Sequence, residues 1–133
     1  FSCPHNYVVR KENGYILRKG AVSAEKGERI LIPANMRDGI LMAAGRGNSE
    51  WNCSAPHGSG RLLKREDVAK RHTLSQFRSE MKGIHCTCIS RDTLDEAPFA
   101  YRDLKTIAAL IQDTAEVQKI LTPVYNYKAG SRH

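Results

Sequence analysis

The first third of the chain alternates short apolar runs with turn signals. Tyr7-Val8-Val9 and Tyr15-Ile16-Leu17 flank Lys11-Glu12-Asn13-Gly14. Asn-Gly between two such runs predicts a β-hairpin, because both turn residues tolerate positive φ. Ile30-Leu31-Ile32 predicts a strand closed by Pro33, which cannot donate to a ladder. Residues 40–44 read as another strand, ended by Gly45-Arg46-Gly47-Asn48.

Helical spacing takes over later. Residues 64–71 form a short, mostly charged candidate helix. Thr73-Leu74-Ser75-Gln76 is a capping box, followed by apolar Leu74, Phe77 and Met81 at helical intervals. Leu104, Ile107, Ala108 and Ile111 lie on one stripe of a helix opening near Tyr101 or Asp103. The stripe resumes at Val117, Ile120 and Leu121 after a bend near Asp113-Thr114, and Pro123 ends it. Residues 124–127 complete the pattern as a final strand. Strands first, helices second and a closing strand predict an α+β fold with mixed or antiparallel sheets, helices in its second half.

The 133 residues fit one unit, 1–133, and 41% hydrophobic content supports an ordinary core rather than disorder. No apolar run reaches the roughly 18–20 residues that cross a bilayer, so no membrane span is expected. No secretory segment opens the chain, which points to a cytoplasmic protein. The chain begins with Phe1, inside what reads as a strand, as a piece of something longer does. The formal charge is +7. Residues 57–82 carry seven basic against three acidic side chains, so four of those seven positive charges lie there. That stretch is an electrostatic footprint for phosphates, though a solvated cationic face reads the same way. Cys3, Cys53, Cys86 and Cys88 lack the paired C-x2-C spacing of a zinc site and are expected as reduced thiols. Cys86 and Cys88 should share one face of a strand.

The sharpest chemical feature is Ser54-Ala55-Pro56-His57-Gly58-Ser59-Gly60-Arg61. Glycines let backbone amides approach an oxyanion, an arginine fork holds phosphate, and a neutral imidazole there is a nucleophile toward phosphorus. A Gly-rich turn with a solvated histidine fits the same residues. Cys3-Pro4-His5-Asn6 offers a second histidine, but one histidine cannot make a metal site. The loop 32–39 and the segments 95–101 and 127–130 are polar or small stretches beside strand and helix ends.

Taken in order, CPHNYV (3–8), LRKGA (17–21), IPANMRDG (32–39), SAPHGSGR (54–61), LDEAPFAY (94–101) and YKAG (127–130) resemble the C-terminal part of the RtcB family of GTP-dependent RNA-splicing ligases. The resemblance runs from residue 3 to residue 130. It implies part of the larger RtcB-like fold and an enzyme that uses GTP and Mn2+. Such enzymes join an RNA 3′-phosphate or 2′,3′-cyclic phosphate end to a 5′-hydroxyl end, in tRNA splicing or RNA repair.

By this resemblance His57 is the residue that becomes guanylylated, and His5 is a manganese ligand. Asn6, Pro33, Ala34, Asn35, Met36, His57, Gly58, Ser59, Gly60, Tyr101 and Lys128 would bind the nucleotide. Arg61, Lys64 and Arg65 would hold RNA phosphates. The sequence departs from the family pattern at Ala34-Asn35, at Ile40, where many relatives have serine, and at Lys128-Ala129-Gly130. The family's other metal ligands lie upstream of this chain. The isolated chain is therefore expected not to ligate, its missing partner being the N-terminal part of the same protein. The alternative is a truncated relative that binds nucleotide or RNA without chemistry.

Overall fold

A computed structural model describes residues 2–128. Strands β1 (Asn6–Lys11) and β2 (Gly14–Lys19) form the expected hairpin. Lys11 pairs with Gly14, so Glu12 and Asn13 make the two-residue loop. The turn thus sits one residue earlier than Asn13-Gly14, and of that pair only Gly14 has positive φ. Residues 2–5, before Asn6, are not a strand.

Strand β3 (Ala21–Ser23) follows, then β4 (Arg29–Asn35) and β5 (Gly39–Gly45). Strand β6 (Ser54–Pro56) pairs antiparallel with β3. Helices α1 (Arg65–Arg71) and α2 (Leu74–Glu80) come next, and Thr73 and Gln76 close the capping box at α2. Strand β7 (His85–Cys86), 3-10 turns over Arg91–Glu96 and Pro98–Ala100, and helix α3 (Leu104–Leu110) lead to β8 (Ala115–Leu121) and β9 (Tyr125–Asn126). Helices with antiparallel sheets and one parallel pair, β7 with β9, make the fold α+β.

Two expectations are corrected. Pro33 does not end its strand but lies inside β4, opposite Ile40. It is tolerated because β4 is an edge of the β4–β5–β8 sheet. The Pro33 carbonyl turns away from β5 and accepts from the Ser59 N–H, so the missing proline N–H falls on the side where no ladder bond forms. Residues 115–121 are strand β8, not a resumed helix. β8 pairs with β5 and carries a register shift between Met42 and Ala43 that leaves Gln118 as an extra residue. Such a bulge breaks period-two alternation. Val117, Ile120 and Leu121 thereby acquire helix-like spacing on a strand.

The core has two parts. Ile30, Ile32, Leu41 and Ala43 alternate inward from β4 and β5 and pack against Val22, Ala55, Ile107 and Ile111. Phe77, Val68, Met81, Leu94, Ala97 and Ala100 build a second cluster, which Met36 joins from the loop after β4. No helix among the described residues is long and apolar enough to cross a membrane. A cleft opens between the end of β4, the loop after β6, and residues of 96–101 and 121–128.

Candidate functional site

Pairing of β3 with β6 sets Ala21 opposite Pro56, so His57 leaves β6 beside Gly20. Gly20 adopts φ +66°, and a Cβ there would meet the His57 ring at 3.4 Å. Its carbonyl accepts from the His57 N–H (3.2 Å) and lies 2.7 Å from Nδ1. A carbonyl can only accept, so Nδ1 carries a ring proton, and the lone pair of a neutral ring then falls on Nε2. Gly20 N–H in turn donates to the His5 carbonyl (2.7 Å) and to Asn6 Oδ1 (3.0 Å). The His5 ring stacks on His57 with centroids 4.4 Å apart and planes 22° apart. His5, Asn6, Gly20 and His57 therefore form one unit.

Buried Arg18 holds this unit to the body. Its guanidinium donates to Ser54 Oγ, Tyr7 Oη and the carbonyls of Asn52 and Cys53. Asn52 and Cys53 both have left-handed backbone, φ 50° and 46°. A strained pair of this kind costs on the order of 1–3 kcal/mol per residue and persists where surroundings over-determine it. Here the arginine bonds to their carbonyls do so.

The loop after His57 is tied to β4. Gly58 fits because a Cβ would come within 3.3 Å of the Pro33 carbonyl. Ser59, 3% exposed, donates its N–H to Pro33 O (3.1 Å) and its hydroxyl to Ala34 O (2.7 Å). Asn35 Oδ1 accepts from the N–H groups of Arg37 and Asp38, shaping the turn into β5. Met36 is buried, and its carbonyl accepts from Asn126 Nδ2 (2.7 Å). Ser59 and Asn35 are thus bonded within the protein.

The far wall is a charge network. Arg61 Nη1 donates to the carbonyl of Asp95 and to Tyr101 Oη, both at 3.0 Å, and its guanidinium lies 4.8 Å from the Tyr101 ring centroid. Arg61 Nη2 also bonds the Asp95 carbonyl, while buried Nε has no partner among the described residues. Tyr101 Oη donates to Glu96 Oε2 (2.7 Å), and Lys128 Nζ lies 3.2 Å from the same oxygen. Arg65 reaches both Asp95 (3.0 Å) and Glu96 (3.3 Å). Burial, then the Glu96 carboxylate, push the Tyr101 hydroxyl up to about 12. Burial pushes Glu96 up too, but the hydrogen bonds from Tyr101 and Lys128 outweigh it and hold its carboxyl below the usual range.

These walls enclose a cleft of about 730 Å3, lined by Pro33–Met36, His57–Arg61, Arg65, Glu96, Tyr101, Asn126 and Lys128 among others. All but three of the expected site residues lie on this lining. His5 and Asn6 join it through Gly20, while exposed Lys64 stands at the N-cap position of α1, next to Arg65, outside the lining. Residues 129 and 130 of the last quoted stretch lie outside the described residues. Arg61 has its fork largely spent on Asp95 and Tyr101, so it orders the wall. Gly20 and Glu96 were missed as site residues, although both stand inside quoted stretches, LRKGA and LDEAPFAY. Among the described residues no three His, Cys, Asp or Glu side chains are grouped as a metal site. Mn2+ takes several oxygen or nitrogen donors, so these residues alone do not fit it; His5 is a single donor.

The chain matches the family model for tRNA-splicing ligase RtcB over residues 1–129. The RNA-splicing ligase RtcB of Escherichia coli K12 is 34% identical over 120 residues, covering 87% of this chain and 29% of that relative. The tRNA-splicing ligase RtcB of Aeropyrum pernix is 36% identical over 87 residues, 62% of this chain and 18% of that protein. A Pyrobaculum aerophilum tRNA-splicing ligase RtcB is 26% identical over 125 residues, 80% of this chain and 26% of that protein. The chain thus spans less than a third of the length of these relatives.

Proposed function

The chain belongs to the RtcB family, and from that footing we propose that it is the part of an RNA ligase that takes a guanylyl group onto His57. The substrates are GTP and RNA ends bearing a 3′-phosphate or 2′,3′-cyclic phosphate and a 5′-hydroxyl. One observation carries the reading: His57 Nδ1 sits 2.7 Å from the Gly20 carbonyl on a ring that lines the cleft.

In the first step the Nε2 lone pair attacks the α-phosphorus of GTP. An N–P bond forms, the bond from that phosphorus to the bridging oxygen breaks, and pyrophosphate leaves with the electron pair. The proton stays on Nδ1, where the Gly20 carbonyl stabilises the positive charge that develops on the ring. The GMP then passes to the RNA 3′-phosphate, and the 5′-hydroxyl displaces it; a cyclic phosphate is opened beforehand. Tyr101, fixed by Arg61 and Glu96, and Lys128 would meet the nucleotide across the cleft. Arg65 and Lys64 would attract RNA phosphates, so affinity falls as salt rises.

We further propose Mn2+ as the metal, with His5 as one donor and the remaining donors from outside the described residues. The absence of a metal-sized cluster among the described residues favours a second reading for the chain by itself, a nucleotide- or RNA-binding module without chemistry.

The test is incubation of the full-length gene product with α-labelled GTP and Mn2+. Label is expected on histidine as an acid-labile, alkali-stable phosphoramidate, and His57→Ala removes it. A folded full-length protein that takes no label overturns the ligase reading in favour of the binding module. The 133-residue chain alone is expected to leave RNA ends unjoined.

A further inference from the structure

The thiols of Cys86 and Cys88 face each other with Sγ atoms 3.0 Å apart. Two residues along a straight strand stand about 6.5 Å apart. The chain bends at Thr87, directly after β7, so the two side chains converge. Thr93 Oγ1 bonds the Cys88 carbonyl and fixes the second cysteine, while Cys88 Sγ lies 3.8 Å from the Asn126 carbonyl of β9. Both cysteines are reduced. Among the described residues no third donor stands by to make a metal site, and two sulfurs leave a tetrahedral ion half-coordinated.

We infer that Cys86 and Cys88 are a closable dithiol, a site of reversible oxidation by low-molecular-weight disulfides. Cys86, partly exposed, is the accessible sulfur; Cys88 is 8% exposed. Burial and the Cys86 contact push the Cys88 thiol up to about 11, so exchange begins at Cys86. The Cys86 thiolate attacks one sulfur of the disulfide, forming a mixed disulfide and releasing one thiolate, which takes up the Cys86 proton. Cys88 then loses its proton and displaces the second thiolate, which takes that proton. Two cysteine thiols and one disulfide give an 86–88 disulfide and two free thiols. Two electrons pass from the cysteines to the reagent.

The probe is oxidised glutathione added to the 133-residue chain, with remaining thiols alkylated and the chain digested for mass mapping. In the folded chain the peptide holding residues 86–88 is expected to lose two hydrogens and carry no alkyl group, while Cys3 and Cys53 are alkylated. Cys88→Ser is expected to trap glutathione on Cys86. In denaturing urea the preference for 86–88 should vanish and adducts should spread over all four cysteines. Alkylation of both Cys86 and Cys88 after treatment, a mixed disulfide that never closes, or the same product distribution in folded and unfolded chain would each overturn the inference.

Discussion

Lys128 Nζ lies 3.2 Å from Glu96 Oε2, and the same oxygen accepts the hydroxyl proton of Tyr101 at 2.7 Å. One carboxylate thus positions two side chains that come to the cleft from β9's end of the chain and from the segment before α3.

Replacing Glu96 by glutamine removes the charge that anchors Lys128 and Arg65 but keeps a carbonyl for Tyr101. GTP labelling of the full-length protein should need several-fold more GTP. A pH series gives an independent readout. The Glu96 carboxyl in the folded chain titrates below its ordinary 4.5. Its contribution to stability is complete above that value and is lost as pH falls through the folded pKa. Urea midpoints of the native chain should therefore drop below about pH 4.5, and the Glu96→Gln variant should show a shallower drop in the same window. An identical pH slope in both proteins would refute this assignment.

Gly20→Ala tests the hold of the Gly20 carbonyl on the His57 ring. At φ +66° an L side chain is strained, and its Cβ would press on the His57 ring. The expected loss of stability is about 1–2 kcal/mol, read from urea unfolding. Labelling should fall further than this loss explains, because the ring moves from its acceptor. Undiminished labelling would mean that Gly20 does not hold the histidine.

Ser59→Ala leaves the Ala34 carbonyl without its buried partner. The expected cost is about 1–3 kcal/mol. Since the same residue's N–H still reaches Pro33, the loop should keep its course, and the GTP requirement should change less than for Glu96→Gln.

Phe77→Ala probes the second core cluster. Phe77 is fully buried against Phe99, 6.5 Å between ring centroids. The cavity should cost about 3–5 kcal/mol. That loss should melt α1 and α2, which circular dichroism would register, and a change under about 1 kcal/mol would contradict this packing.

Much of this was legible in the chain because local chemistry and tertiary packing agree there. The Thr73–Gln76 box became the cap of α2, and the apolar alternation at Ile30 and Ile32 became the buried face of β4. Leu104, Ile107 and Ile111 became the inward side of α3 and its end. β8 was illegible because a bulge imitates helical spacing, and only the neighbouring strand reveals the difference. At the cleft His57 stood out by its glycines. Glu96 did not, since a carboxylate in a charged sequence gains meaning only from what folding sets around it. Arg61 shows the converse: a guanidinium suited to phosphate is equally suited to the Asp95 carbonyl and the Tyr101 phenol, which only folding brings beside it.

Because both the amide and the ring of His57 lean on one main-chain oxygen, the position of the imidazole proton is set by a peptide group and not by any side chain. Sequence drift at neighbouring positions can therefore alter what enters the cleft without moving that proton. Only a displacement of the backbone around residue 20 can do that.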